Sequence, residues 1–191
     1  MYKVITFQDV VRIPPSKFGK DLREAAKEVL EELYEGQLVE NAGLVISILD
    51  VYVSSVGKIV PGDGGSYHKA TFDALVFRPT LHEVVEGEVV TVEDFGLFVR
   101  LGPLEGLIHK SQIYDDRFSY DRAQGAMIGE STRYVVRKGD VVRARIVAVS
   151  SMASSIRGLR VSLTMRQPFL GKVEWIKKEL ERLRRRGASR G

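Results

Sequence analysis

The 191-residue chain is 44% hydrophobic, enough for one large core or two small ones, and its lack of cysteine excludes thiolate chemistry, disulfides and cysteine-based zinc sites. No stretch approaches the ~20 consecutive apolar residues of a membrane helix, and the N-terminus lacks a basic start before an apolar block, so a soluble, cytoplasmic chain without membrane contact is expected. The net charge of +4 divides into −2 over residues 1–80, +1 over 81–176 and +5 over 177–191. Any nucleic-acid binding by the nearly neutral body must therefore rest on locally placed Arg, with few phosphate contacts.

The opening "YKVITFQDVVRI" reads as a strand stopped by Pro14 and Pro15. A helix follows, with Leu22, Ala25, Ala26, Val29, Leu30 and Leu33 on one face and Gly36 at its end. Next come the apolar run "GLVISILDVYV", the turn-rich "KIVPGDGGSY" and the strand "ATFDALVFRP". In that strand Phe72, Ala74 and Val76 share one face and Leu75 and Phe77 the other, so neither face is polar enough to be solvated. One helix covers one face; the other calls for a second domain or a partner.

After Pro79, "EVVEGEVVTVED", "GLFVRL", "EGLIH", "DVVRARIVAVS" and "GLRVSLT" form five strand-like runs with no long helix among them, which favours a small barrel. The long segment before the fourth run is expected to carry structure of its own. The serine-rich "SSMASS" reads as the loop between the fourth and fifth strands. In the closing "VEWIKKELERLRRRGASRG", Val173, Ile176, Leu180 and Leu183 make an apolar stripe on a basic helix whose last residues should fray.

His68, His82 and His109 show no metal-ligand spacing, so no metal is expected. "PGDGGS" lacks the P-loop spacing and reads as a mobile turn, and no nucleophile elbow appears, so nothing argues for catalysis. Nucleic-acid binding fares better. Alternation puts Leu97, Val99 and Leu101 on one side of "GLFVRL", displacing Phe98 and Arg100 to the other. The same parity sets Arg143 and Arg145 against Val142, Ala144 and Ile146, and Arg160 against Leu159, Val161 and Leu163. If the barrel gathers these outer sides, bases can stack on the ring while guanidinium groups hold phosphates. Phe95 falls opposite Phe98 in a regular strand unless Gly96 permits a bulge or strand start. Alternatively, Phe95 and Phe98 are barrel core, His109 is a half-buried strand end, and Arg143 and Arg145 form surface ion pairs.

The stretch "EGEVVTVEDFGLFVRLGPLEGLIHKSQI" resembles the RNA-binding OB domain first described as a repeat in ribosomal protein S-one. The matching positions are Gly87 to Val89, Phe95 to Val99, Gly106 to Ser111 and, approximately, Leu163 to Arg166. In that family the positions matching Phe95, Phe98, His109 and Arg160 face RNA. With their neighbours this makes Phe95, Phe98, Arg100, His109, Lys110, Arg143, Arg145 and Arg160 the expected RNA-binding set. The acidic position that many relatives carry after the fourth strand is replaced by Ser150 and Ser151.

Over nearly its whole length, through "MYKVITFQDVVRIPPSKFG", "YHKATFDALVFRPTLHEVVEGEVV" and "GLFVRLGPLEGLIHKSQI", the chain resembles the E-prime family of archaeal DNA-directed RNA polymerase subunits, counterpart of the seventh-largest subunit of eukaryotic polymerase II. The resemblance implies an α+β RNP-like tip domain (1–80, a sheet plus one main helix), an all-β OB barrel with an insertion (81–170), and a basic C-terminal helix and tail (171–191). It implies a non-catalytic stalk subunit without cofactors that forms a heterodimer with the small helical F component of the RNA polymerase. Docking on the polymerase core near the clamp, guidance of single-stranded nascent RNA and help in promoter opening are implied with it. Phe72, Ala74 and Val76 would then meet the partner. Lys58, Ile59, Val60, Pro61, Gly62, Asp63, Gly64 and Gly65 would meet the polymerase core. The competing readings are a free-standing OB-domain RNA-binding protein of the exosome or translation machinery, and an enzyme with an accessory OB domain.

Overall fold

A computed structural model describes residues 1–151 and 159–188, and the chain divides into two units after Arg78. In the first, β1 (Tyr2–Ile13) precedes α1 (Leu22–Tyr34), β2 (Leu38–Val39), β3 (Gly43–Ile59) and β4 (Ser66–Phe77). The strands form one antiparallel sheet in the order β1-β4-β3-β2. Asp21 caps α1, its carboxylate accepting from the amides of Arg23 at 2.9 Å and Glu24 at 3.2 Å. Beyond the helix, Gly36 takes φ +76°, which an L side chain resists, and turns the chain into β2.

The face of α1 carrying Ala25, Ala26, Val29 and Leu30 is buried in one core with Val51, Ala70, Phe72, Ala74 and Val76 of the sheet. Burying each such large aliphatic contributes about 1.5–3 kcal/mol. Leu33, expected on that face, is exposed; Tyr34 instead packs on Phe72 at 5.2 Å and donates to Asp9 at 2.5 Å. Burial and that bond push the Tyr34 hydroxyl up to about 12.

In the second unit β5 (Val84–Glu93), β6 (Gly96–Arg100), β7 (Glu105–His109), β11 (Val141–Ser151) and β12 (Leu159–Thr164) match the five expected runs. Their order β12-β7-β6-β5-β11 closes through β11–β12 pairing into a barrel in which only β7–β12 is parallel. Leu97, Val99, Leu101, Val142, Ala144, Ile146, Val161 and Leu163 fill it, as alternation predicts. The segment between β7 and β11 carries a three-stranded sheet of β8 (Phe118–Asp121), β9 (Ala126–Gly129) and β10 (Val135–Arg137). Asp116 anchors it by accepting from the Thr132 amide at 2.8 Å and hydroxyl at 2.7 Å, bonds that hold its carboxyl well below the usual range. The two-residue β13 (Gly171–Lys172) pairs with β11 and leads into α2 (Val173–Ala188). Ser150 and Ser151 lie within β11, and the expected serine-rich loop falls, from residue 152 on, outside the described residues. Among the described residues, no helix is long and apolar enough to cross a membrane.

Candidate nucleic-acid interface

The tertiary structure places Phe95 where alternation along a strand would not. Glu93 pairs with Gly96, which leaves Asp94 and Phe95 as the two-residue turn of the β5–β6 hairpin. Outside the strand, Phe95 is freed from its parity, and its ring meets Phe98 edge-on with centroids 6.0 Å apart. Phe95 is 42% exposed and Phe98 half-buried, so the pair sits on the barrel surface rather than in its core. The Phe95 carbonyl accepts from the Lys110 amide at 2.9 Å, tying the turn to the end of β7.

Gly96 makes this junction possible. A Cβ at Gly96 would lie 2.2 Å from the Ile108 carbonyl oxygen, a backbone atom fixed in the ladder. Gly96 pairs with His109, so His109 projects on the same side as Phe98 and is exposed. Its Nδ1 lies 2.8 Å from the Ser111 hydroxyl, which orients the imidazole. Lys110 is exposed just past the end of β7, while Arg160, two residues before Ser162 beside Leu107, is exposed toward the Glu105 end of that strand. Leu107, the cross-strand partner of Phe98, is half-buried and adds an apolar floor between Phe98 and Ser162. The sequence reading missed it, although its parity with His109 pointed to it.

Arg100 shares this face but lies between Glu88 and Glu105, its cross-strand partners, which offset its charge. Arg143 stands apart from this face, contrary to expectation. Arg143 stands opposite Glu86 and Phe98 opposite Thr91, a separation of about 17 Å along β5 at the usual strand rise. Arg143 donates to Glu86 at 2.8 Å, an ion pair on the barrel wall. Arg145 stands between Val84 and Thr164, the residue after the Leu163–Ile108 pair, so barrel closure brings it level with His109 two strands away. Alternation fixes which side of its own strand a residue occupies, not its height on the barrel. The arrangement left is two aromatic rings and Leu107, with His109 and Lys110 at one end and Arg160 toward the other, suited to stacking bases beside a few phosphate contacts.

In the first unit, Phe72, Ala74 and Val76 are at most 2% exposed and lie beneath α1. They form the domain's own core and are not open to a partner, contrary to expectation. The opposite face of the sheet shows Val4 opposite half-buried Leu75, Val10 opposite Lys69 farther along β1, and Tyr52 exposed on β3.

At the β3–β4 tip, Ile59 and Val60 are exposed beside Val56 of the bulge. The turn expected to be mobile is organised around Asp63, which accepts from Arg12 Nε at 2.8 Å, Tyr67 at 2.5 Å and the Gly65 amide at 3.0 Å. These donors, Arg12 foremost, hold the Asp63 carboxyl far below the usual range. Its contribution to order at the tip is therefore complete above the ordinary carboxylate value of about 4 and is lost as pH falls through the depressed folded value. In Asp63→Asn, exchange of the Gly65 amide should be fast already at neutral pH and lose that acid dependence. Unchanged protection would show that Asp63 does not order the tip.

A family model described as the SHS2 domain found in the N terminus of Rpb7p/Rpc25p/MJ0397 matches residues 8–64, and one described as the S1 RNA binding domain matches residues 78–158. The chain is 48% identical over 176 residues to DNA-directed RNA polymerase subunit Rpo7 of Saccharolobus solfataricus, covering 92% of this chain and 97% of that one. The chain belongs to the archaeal RNA polymerase subunit Rpo7 family. This is the family that the sequence resemblance indicated. Rpo7 of Sulfolobus acidocaldarius is 44% identical over 180 residues, with 94% and 97% covered. The RNA polymerase II subunit rpb7 of Schizosaccharomyces pombe is 28% identical over 163 residues, with 84% and 92% covered. An SHS2 domain followed by an S1-type OB domain is thus the order of the two units in this family member.

Proposed function

We propose that this chain is the non-catalytic stalk subunit of a cytoplasmic DNA-directed RNA polymerase. It pairs with the small helical F component of that polymerase through the open face of the first sheet. It docks on the core near the clamp through the 58–65 tip, holds emerging single-stranded RNA on the Phe95–Phe98 face and assists promoter opening. Similarity of 44–48% to Rpo7 subunits along nearly their whole length carries the assignment. The exposed aromatic pair beside His109, Lys110 and Arg160 supports RNA contact by stacking.

Purification of the native protein should recover a small helical partner together with the large polymerase subunits. Exclusive recovery with exoribonuclease rings or ribosomes would overturn the assignment. The RNA face is tested separately by Phe98→Ala. Loss of one stacked base should weaken single-stranded RNA binding by about 1–3 kcal/mol, roughly 5- to 150-fold. The melting temperature should hardly move, because Phe98 is only half-buried. Unfolding without a specific RNA defect would make Phe98 a core residue.

A further inference from the structure

Helix α2 and the insertion sheet build a second surface, separate in composition from the RNA face. Tyr134 stacks on Trp175 with centroids 4.4 Å apart and planes inclined by 19°, and Tyr114 meets both rings edge-on at 5.2 and 6.0 Å. Beside this cluster lies a cavity of about 230 Å³ lined by Tyr114, Tyr134, Trp175, Lys178 and Arg182. A neighbouring cavity of about 240 Å³ shares Tyr114, Leu170 and Glu179 and is bordered by Phe169. Phe169 is exposed and held at φ +62°, a backbone region uncommon for bulky residues. Ile176 is buried, but the same stripe continues through exposed Leu180 and Leu183. Residues 177–185 are all exposed, with five basic and two acidic side chains.

We propose that this surface docks an acidic protein segment carrying apolar anchors. The anchors would cover Leu180, Leu183 and Phe169 and enter the paired cavities, while the segment's carboxylates meet Lys178 and Arg182. Nucleic acid fits poorly. Tyr134 and Trp175 occupy each other's faces, Trp175 is only 9% exposed, and exposed leucines give a base no ring to stack on. A second copy would oppose like charges, since Lys177, Lys178, Arg182, Arg184 and Arg185 crowd the same exposed turns.

Trp175 is the only tryptophan and therefore reports on this surface alone. The full chain is titrated with a short synthetic peptide alternating Glu with Leu and Phe, with its Gln-for-Glu counterpart, and with oligouridylate. The acidic peptide should change Trp175 fluorescence saturably. The response should weaken about tenfold or more for the Gln peptide and for Arg182→Glu or Leu183→Ser. Both substitutions are at exposed positions, and oligouridylate should still bind both variants without perturbing Trp175. The proposal is overturned if no peptide response saturates, if the Gln peptide binds equally, or if oligouridylate competes with the peptide at Trp175. Self-association of the wild-type chain that Leu183→Ser abolishes would also overturn it, in favour of a second copy.

Discussion

Replacing Phe72 with Asp should prevent the N-terminal domain from folding. The ring is 2% exposed, stacked on Phe7 at 5.5 Å and packed on Tyr34 at 5.2 Å, so the new carboxylate would sit between sheet and helix with no cation to meet it. Truncating a core Phe costs about 3–5 kcal/mol, and an unpaired buried charge adds to this. The sum, about 5 kcal/mol or more, rivals the whole stability of a small domain. Val10→Asp, on the open face where Val10 is exposed, should leave the fold intact and act only on association. Thermal melting of the free chain separates the alternatives. A Phe72→Asp variant that melts like the wild type but fails to pair would return Phe72 to the partner surface.

Gly96→Val should open the barrel where the RNA face is assembled. Its Cβ would overlap the Ile108 carbonyl oxygen at 2.2 Å and approach the His109 Cα at 3.1 Å, both backbone atoms that cannot swing aside. Overpacking ordinarily costs about 1–3 kcal/mol by displacing side chains, and here β6 and β7 must separate, so about 3 kcal/mol or more is expected. The Phe95 turn and His109 would move together, since Gly96 joins them. RNA affinity should therefore fall further than in Phe98→Ala, accompanied by a lower melting temperature. A variant with wild-type stability and RNA affinity would show that the strands can yield at this point.

The local periods were legible in the sequence. Leu97, Val99 and Leu101 face the barrel interior because a strand alternates, and Ala25, Ala26, Val29 and Leu30 face the sheet because a helix repeats every 3.6 residues. The motif from Gly87 to Ser111 marked the family, and its Gly87 and Gly96 stand where a neighbouring strand's backbone approaches too closely for a Cβ. The same reading failed for Phe72, Ala74 and Val76, because two apolar faces of a strand do not announce which one the helix will cover. It failed for Arg143 for a related reason. Its side of the strand is local information, but its height against Phe98 depends on the β5–β11 and β5–β6 registers.

What the amino-acid sequence determined was therefore the two long helices, the main strands, the core side of β6, β11 and β12, and the family. Tertiary structure alone decided that Phe95 leaves the strand at a two-residue turn and joins Phe98, and that Asp63 gathers Arg12, Tyr67 and Gly65 at the tip. It also set Trp175 against Tyr134 and Tyr114. Each of these depends on residues distant in sequence being brought together, and such pairings are set by closure of the whole fold rather than by any local periodicity.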